Sequence, residues 1–273
     1  MKLDPVTSSR VALDGPAIDV RCQHEEHPVF DPPDDYEATI WRYLDFTKLV
    51  SLIDTQRLYF ARVDTFDDSF EGSVSAATRA ARREWFPDLD PEGRDERLKD
   101  LQRISESAPS WMYASCWNLS EMESAALWGL YVRSGEGVAI RSTYWRLVDS
   151  IDTRGNDVAD PLAPFWAGKV AYVDYDEDLI PDENALSPFV HKRRSFEFER
   201  EVRAMTWAKS PQLREAPSPI GLRVAVDLGR LIAAIHVSPT APAWFASLVR
   251  SVVSHYGCDA PVRQSSLSGT PLY

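Results

Sequence analysis

The sequence predicts an α+β fold: a single domain with a mixed, mostly antiparallel β-sheet and flanking helices. Three observations point there. Short apolar or alternating runs that read as strands outnumber the helical patterns available to cross between them. Strands and helices interleave irregularly, without the strand–helix–strand repeat of a doubly wound sheet. The 273 residues, 44% of them hydrophobic, supply one sizeable core and contain no internal repeat.

Residues 1–36 are polar and proline-punctuated and end in FDPPDDYE. They read as an N-terminal tail, flexible or partly ordered against the body, ahead of a domain spanning 37–273. IWRYLD (Ile40–Asp45) reads as a strand, with Asp45 placed to N-cap the helix FTKLVSLIDTQ, whose Phe46, Leu49, Val50 and Ile53 share a face. RLYFARV (Arg57–Val63) is a strand, followed by the acidic loop DTFDDSFEG. Residues near 74–108 alternate charge with Ala and Leu and predict two exposed helices, a solvent-facing insertion. WMYASCW (Trp111–Trp117) reads as a buried strand, and Ser120 with Glu123 as a capping box opening a helix to about Arg133. GVAIRST (Gly137–Thr143) is a strand and YWRLVDSI a helix, then GKVAYVDY (Gly168–Tyr175) a strand. LSPFVHKRRSF reads as a short helix leading into an extended run, Phe196–Met205. GLRVAVDL and LIAAIHV are strands, PAWFASLVRSVVSHY is a helix closed by Gly257, and PVRQSSL is a last strand.

The charge balance is 30 basic against 42 acidic residues, net −12, which argues against a broad nucleic-acid surface and leaves room for a local basic pocket. Cys22, Cys116 and Cys258 are too few and too far apart for a disulfide framework or a metal knuckle. No apolar run approaches the length of a membrane span, and MKLDPVTSSR lacks the apolar stretch of a signal peptide, so a cytoplasmic protein is expected. Oligomeric state is not readable.

The stretches IWRYLDFTKLVSLIDTQRLYFARVDTFDDSFEG, SCWNLSEMESAALWGLYVRSGEGVAIRST, HKRRSFEFEREVRAM and VSPTAPAWFASLVRSVVSHYG together resemble the prokaryotic family called domain of unknown function 2971. The resemblance covers roughly residues 40–273. It implies the fold but no activity, so the chemistry rests on particular residues.

The charged run RRSFEFEREVR is the first of these. If Phe196–Met205 is one strand, Glu197, Glu199, Glu201 and Arg203 share a face. Carboxylates at that spacing repel, which raises one pKa and suits a general base or a stabiliser of a cationic transition state. The same row also reads as a solvated edge paired with Lys192, Arg193 and Arg203. Arg42, between Trp41 and Tyr43, is a candidate to hold a phosphate. Ser142 and Thr143 end a strand, where they either cap the next helix or lie beside a ribose. Trp117, Trp128 and Tyr131 are candidate stacking platforms or core. His191 lies near the acidic row, while His236 reads as core. Asp64, Asp67, Asp68 and Glu71 form a turn-rich loop, an oxygen-ligand site, or a loop lining the pocket with Asp68 or Glu71 facing a ligand, and no metal is assigned.

In chain order, Arg42, Ser142–Thr143 and the Glu-x-Glu pairs are similar to the arginine, serine–threonine–serine and Glu-x-Glu motifs of ADP-ribosyltransferases, with S-T-Y standing here for S-T-S. That resemblance implies NAD as substrate, with Arg42 anchoring the dinucleotide, Ser142 shaping the nicotinamide pocket and Glu199 or Glu201 stabilising the reacting ribose. The expected site is therefore Glu199 and Glu201 as catalytic residues, with Arg42, Tyr43, Ser142, Thr143, Trp128, Arg203 and Lys192 binding a small-molecule nucleotide. Two other readings stand beside it. One is a non-catalytic module for a small anion or nucleotide. The other is a metal-dependent hydrolase built on Asp67, Asp68, Glu71 and the glutamate pair.

Overall fold

The computed structural model describes residues 27–132, 135–152, 165–181, 184–207 and 219–269. Residues 1–26 of the expected tail, with Cys22 and His24, lie outside the described residues. The strands are β1 (Thr39–Asp45), β2 (Arg57–Arg62), β3 (Met112–Leu119), β4 (Gly137–Thr143), β5 (Ile151–Asp152), β6 (Trp166–Lys169), β7 (Ala171–Val173), β8 (His191–Arg193), β9 (Glu201–Trp207), β10 (Gly221–Val226), β11 (Ala234–Val237) and β12 (Val262–Gln264). The helices are α1 (Phe46–Thr55), α2 (Ala76–Ala81), α3 (Pro91–Ser107), α4 (Ala125–Tyr131), α5 (Tyr144–Ser150), α6 (Leu228–Leu231) and α7 (Ala243–His255). The fold is α+β with a mixed, mostly antiparallel sheet: among its described pairings only β11–β12 is parallel. β7 and β8 form a separate parallel pair.

β3 organises the sheet. Asn118 pairs with both Trp41 of β1 and Glu201 of β9, and Ala114 pairs with both Ala61 of β2 and Met205 of β9. A strand has only two edges, so β9 occupies one and β1 and β2 share the other. Between them the edge of β3 is unpaired and the sheet forks. Arg42 fills the fork, donating to Ser115 Oγ at 2.5 Å and to the Tyr59 carbonyl at 3.0 Å, with its guanidinium over the Trp117 ring.

Alternation along each strand separates two faces. Ile40, Leu44, Trp117, Ile140, Val202 and Ala204 lie in the main core, covered by α1, α5, α6 and α7. The opposite face is covered differently. Trp41, Tyr43 and Ala139 meet Leu127 and Trp128 of α4, while Met112, Ala114, Trp166 and Met205 meet Phe30 and the 3-10 turn Ser187–Val190.

From residue 27 the expected tail lies against the body. Phe30 is buried and stacked on Trp166, and the Lys169 N–H donates to the Asp31 carbonyl at 2.7 Å. Its anchors, Val29, Phe30 and Tyr36, follow no helical or strand period. Of the two helices expected to be exposed, α3 has no buried residue and its Asp90 cap accepts from the Gly93 N–H, whereas α2 buries Thr78. The capping box is not formed. Ser124 caps α4, and Glu123 instead accepts hydrogen bonds from Ser265, Ser266 and Trp128, with the His236 ring 3.1 Å away.

Gly168 lets the Phe30–Asp31 backbone approach β6. A Cβ there would lie 2.8–2.9 Å from that backbone. Gly168→Ala is expected to cost about 1–3 kcal/mol in urea unfolding and to raise amide exchange over 27–33. Unchanged protection of that segment would show that it is not held this way.

Candidate functional site

The run expected as one strand is two elements. Arg194–Glu199 is a 3-10 turn, Arg200 is left-handed at φ 42°, and β9 begins only at Glu201. The row Glu197–Glu199–Glu201–Arg203 therefore does not exist. Glu197 is exposed, and Phe198, which would alternate to the opposite face of such a strand, is 53% exposed and stacked on Phe196. The FEFE alternation fits a strand, but it fits a tight turn with its phenylalanines outside equally well.

The turn brings Glu199 and Glu201 onto one cation. Lys192 Nζ, delivered by β8, lies 2.5 Å from Glu199, 2.7 Å from Glu201 and 3.3 Å from Glu71 of the acidic loop. Arg203, two residues along β9 and hence on the same face as Glu201, is fully buried. It donates to Glu201 at 2.7 Å, to both oxygens of Glu71 at 2.7 and 2.8 Å, and to the Phe189 carbonyl at 2.9 Å. The Tyr131 hydroxyl, from the end of α4, donates to Glu199 at 3.2 Å. The Tyr172 hydroxyl accepts from the Glu201 backbone N–H at 2.8 Å. Asn118 donates to the Glu199 carbonyl at 2.7 Å, and its Oδ1 is buried with no donor among the described residues.

Electrostatics divide the glutamate pair. Burial, with the hydrogen bond and charge of Glu201, pushes the Glu199 carboxyl up to about 7 against the pull of Lys192. Burial would also raise Glu201, but Arg203, the Glu199 hydrogen bond and Lys192 hold it far below the usual carboxylate range. One carboxyl is thus a permanent anion and the other titrates near neutrality, the arrangement that divides fixed charge from proton transfer. Burial raises the Cys116 thiol, and Glu201 raises it further, so it stays protonated and is no nucleophile.

Of the expected site, Glu199, Glu201, Lys192 and Arg203 are brought together, and the rest is not. Arg42 lies between Ile40 and Leu44 on the main-core face, so the sheet separates it from the glutamates. It has no carboxylate partner among the described residues, and burial lowers its pKa to about 10. Ser142 has no accessible surface and donates to the Leu231 carbonyl, fastening β4 to α6, so it has no hydroxyl to offer a ribose. Thr143 caps α5. Tyr43 is buried and accepts from the Ser124 N–H, while Trp128 is buried and donates to Glu123, so both belong to the packing under α4. Trp117 is core, and His191 bonds the Ser187 carbonyl through its own ring. In the acidic loop Asp68 pairs with Arg193 at 2.6 Å, Asp64 with Arg62 at 2.6 Å, and Glu71 with Arg203 and Lys192. Cations of the chain thus hold carboxylates that a metal would need, which counts against the hydrolase reading. Sequence reasoning missed Tyr172, which no pattern marks. It named Glu71 for a different role, although the left-handed Gly72 behind it signals a fixed turn.

No protein-family model matches the chain, so the resemblance to domain of unknown function 2971 has no family match behind it, and no curated protein matches either. Among solved structures, one that is similar is Thermus sp. 2.9 DarT in complex with carba-NAD+, at 10% sequence identity and a TM-score of 0.35, covering 86% of this chain and 98% of that one. A second is Thermus sp. 2.9 DarT in complex with ADP-ribosylated ssDNA, at 11% identity and a TM-score of 0.35, covering 87% and 97%. A likeness this distant assigns no activity.

The raised Glu199 pKa has a thermodynamic signature. The unfolded group titrates near 4.5 and the folded one near 7, so its contribution to stability is full below 4.5 and is lost as pH rises through 7. Glu201 runs the other way, contributing above 4.5 and losing its contribution only on acidification. Unfolding free energy is therefore expected to fall by roughly 3 kcal/mol or less between about pH 5 and 8. Glu199→Gln should abolish the fall in urea titrations across that range. Parallel curves for the two proteins would remove the assignment.

Proposed function

We propose that the protein is a nucleotide-handling enzyme that binds NAD and acts at the nicotinamide–ribose bond. The observation that supports this best is the divided Glu199–Glu201 pair between Lys192 and Arg203. As the bond from the ribose C1′ to the nicotinamide nitrogen breaks, its electron pair leaves with neutral nicotinamide. Positive charge then develops on C1′ and the ring oxygen. A carboxylate that stays ionised, Glu201, stabilises that charge. The oxygen of water or an acceptor hydroxyl then bonds to C1′, and its proton passes to ionised Glu199. The open acceptor of Asn118 beside Glu199 offers a partner to a ribose hydroxyl or amide donor.

A second reading, a non-catalytic module for a small anion, has Arg42 in its favour: a half-buried guanidinium with only neutral hydrogen-bond partners. It differs from the first in predicting no turnover.

Nicotinamide release from NAD, with water and with supplied acceptors, separates the two. The wild type should release nicotinamide with a rising limb near pH 7, and Glu199→Gln should be slower by about 10²-fold or more and lose that limb. Glu201→Gln also strips an anion from Arg203, so its activity is read beside its melting temperature. A wild type that releases nothing under any of these conditions ends the enzyme reading.

A further inference from the structure

Glu71 is also part of a second feature. A cleft of about 560 Å³ opens between α3 and the segment formed by α2 and the 3-10 turn Arg82–Glu84, with Glu71 in its lining. Arg79, Arg82 and Arg83 also line it. They share a side because they are spaced by three and four along unbroken right-handed helical backbone at Ala81 and Arg82. The orientation of α2 is fixed by fully buried Thr78, which donates to the Ile180 carbonyl at 2.9 Å, and by Ser75, which caps the helix. Arg82 is buried and donates to Ser105 of α3 at 3.2 Å, tying one wall to the other.

Arg79 and Arg83 are exposed and have no carboxylate partner among the described residues. Two carboxylates are in the lining. Glu71 is already held by Arg203 and Lys192, and Glu106 accepts from Gln102 at 2.8 Å. The cleft therefore carries a local excess of positive charge on a chain of net charge −12. Its volume lies in the range of small-molecule sites. Guanidinium groups grip phosphate oxygens in pairs, with a geometry that a carboxylate-poor cleft leaves available.

We propose that this cleft binds the diphosphate group of a nucleoside diphosphate or dinucleotide, with Arg79 and Arg83 on the phosphate oxygens and Arg82 holding the walls together. The assignment stands on the cleft and does not require chemistry at Glu199. Calorimetric titration of the full chain tests it, with ADP, adenosine, inorganic pyrophosphate and a single-stranded oligonucleotide as probes. ADP should bind and adenosine should not, and raised salt should weaken ADP binding. Arg79→Ala/Arg83→Ala should weaken it tenfold or more without lowering the melting temperature, since both side chains are exposed. Pyrophosphate that competes with ADP supports the assignment. It is overturned if ADP fails to bind at millimolar concentration, if adenosine binds as tightly, if the double variant binds ADP as well as wild type, or if only the oligonucleotide binds. Nicotinamide release read on the same preparations keeps the two claims apart. ADP binding without release leaves the cleft and removes the chemistry, and release without ADP binding does the reverse.

Discussion

Three carboxylates and two cations in a buried cluster set the terms for this molecule. Glu71, Glu199 and Glu201 meet Lys192 and Arg203, and all five are less than a tenth exposed. Each charge taken from water alone would cost several kcal/mol, so each must find its partners inside. Arg203 does so almost completely, in a two-pronged pair with Glu71, a bond to Glu201 and one to the Phe189 carbonyl. Those bonds join β9, the acidic loop and the turn before β8, beside the apolar contact of Met205 with Phe189 and Val190. The count leaves one negative charge over. A proton on Glu199 removes it, and burial with the neighbouring Glu201 raises that carboxyl's pKa.

The forked sheet decides where such a cluster can exist. Its main-core face is sealed by four helices and filled with aliphatic and aromatic side chains. Its other face is covered by α4 at one end and by irregular segments at the other. Irregular backbone brings carbonyls and turns, such as Phe189, that can partner a guanidinium. Arg203 is bonded to the Phe189 side of this gap, and Tyr131 reaches Glu199 from α4. Arg42 belongs to the fork and not to this cluster. It joins β1 to β2 and β3 where their backbones no longer pair.

Local pattern and distant pairing were not equally legible in the sequence. Alternation located the strands Thr39–Asp45, Met112–Leu119 and Gly137–Thr143, because each has an apolar face on a core. The Pro91–Ser107 helix was legible from charge alternating with Ala and Leu, the mark of a solvent-facing helix. The Arg194–Glu199 turn was not, since period two in FEFE is satisfied by a strand and by a turn that exposes both rings. The capping box at Ser120 failed because a glutamate that could cap locally found five donors from the chain's far end and from α4. For the site, Glu199, Glu201, Lys192 and Arg203 are close in sequence and were found together. Arg42 and Ser142 were joined to them by chain order alone, and chain order carries no information about which face of a sheet a side chain takes.

A cluster built only to lock segments together would match its charges. The sequence supplies the means, since Arg200 stands between the two glutamates. Its left-handed backbone sends it to solvent, and Arg193, the other near cation, is held by Asp68. Glu199 is also the least constrained of the three carboxylates. Glu71 is fixed by both prongs of Arg203, and Glu201 by Arg203 and Lys192, whereas Glu199 has Lys192 and the hydroxyl of the exposed Tyr131. The uncompensated charge therefore falls on the carboxyl whose protonation least disturbs the scaffold. Glu199 can therefore gain or lose its proton while Glu71 and Glu201 keep the bonds to Arg203 that join the segments.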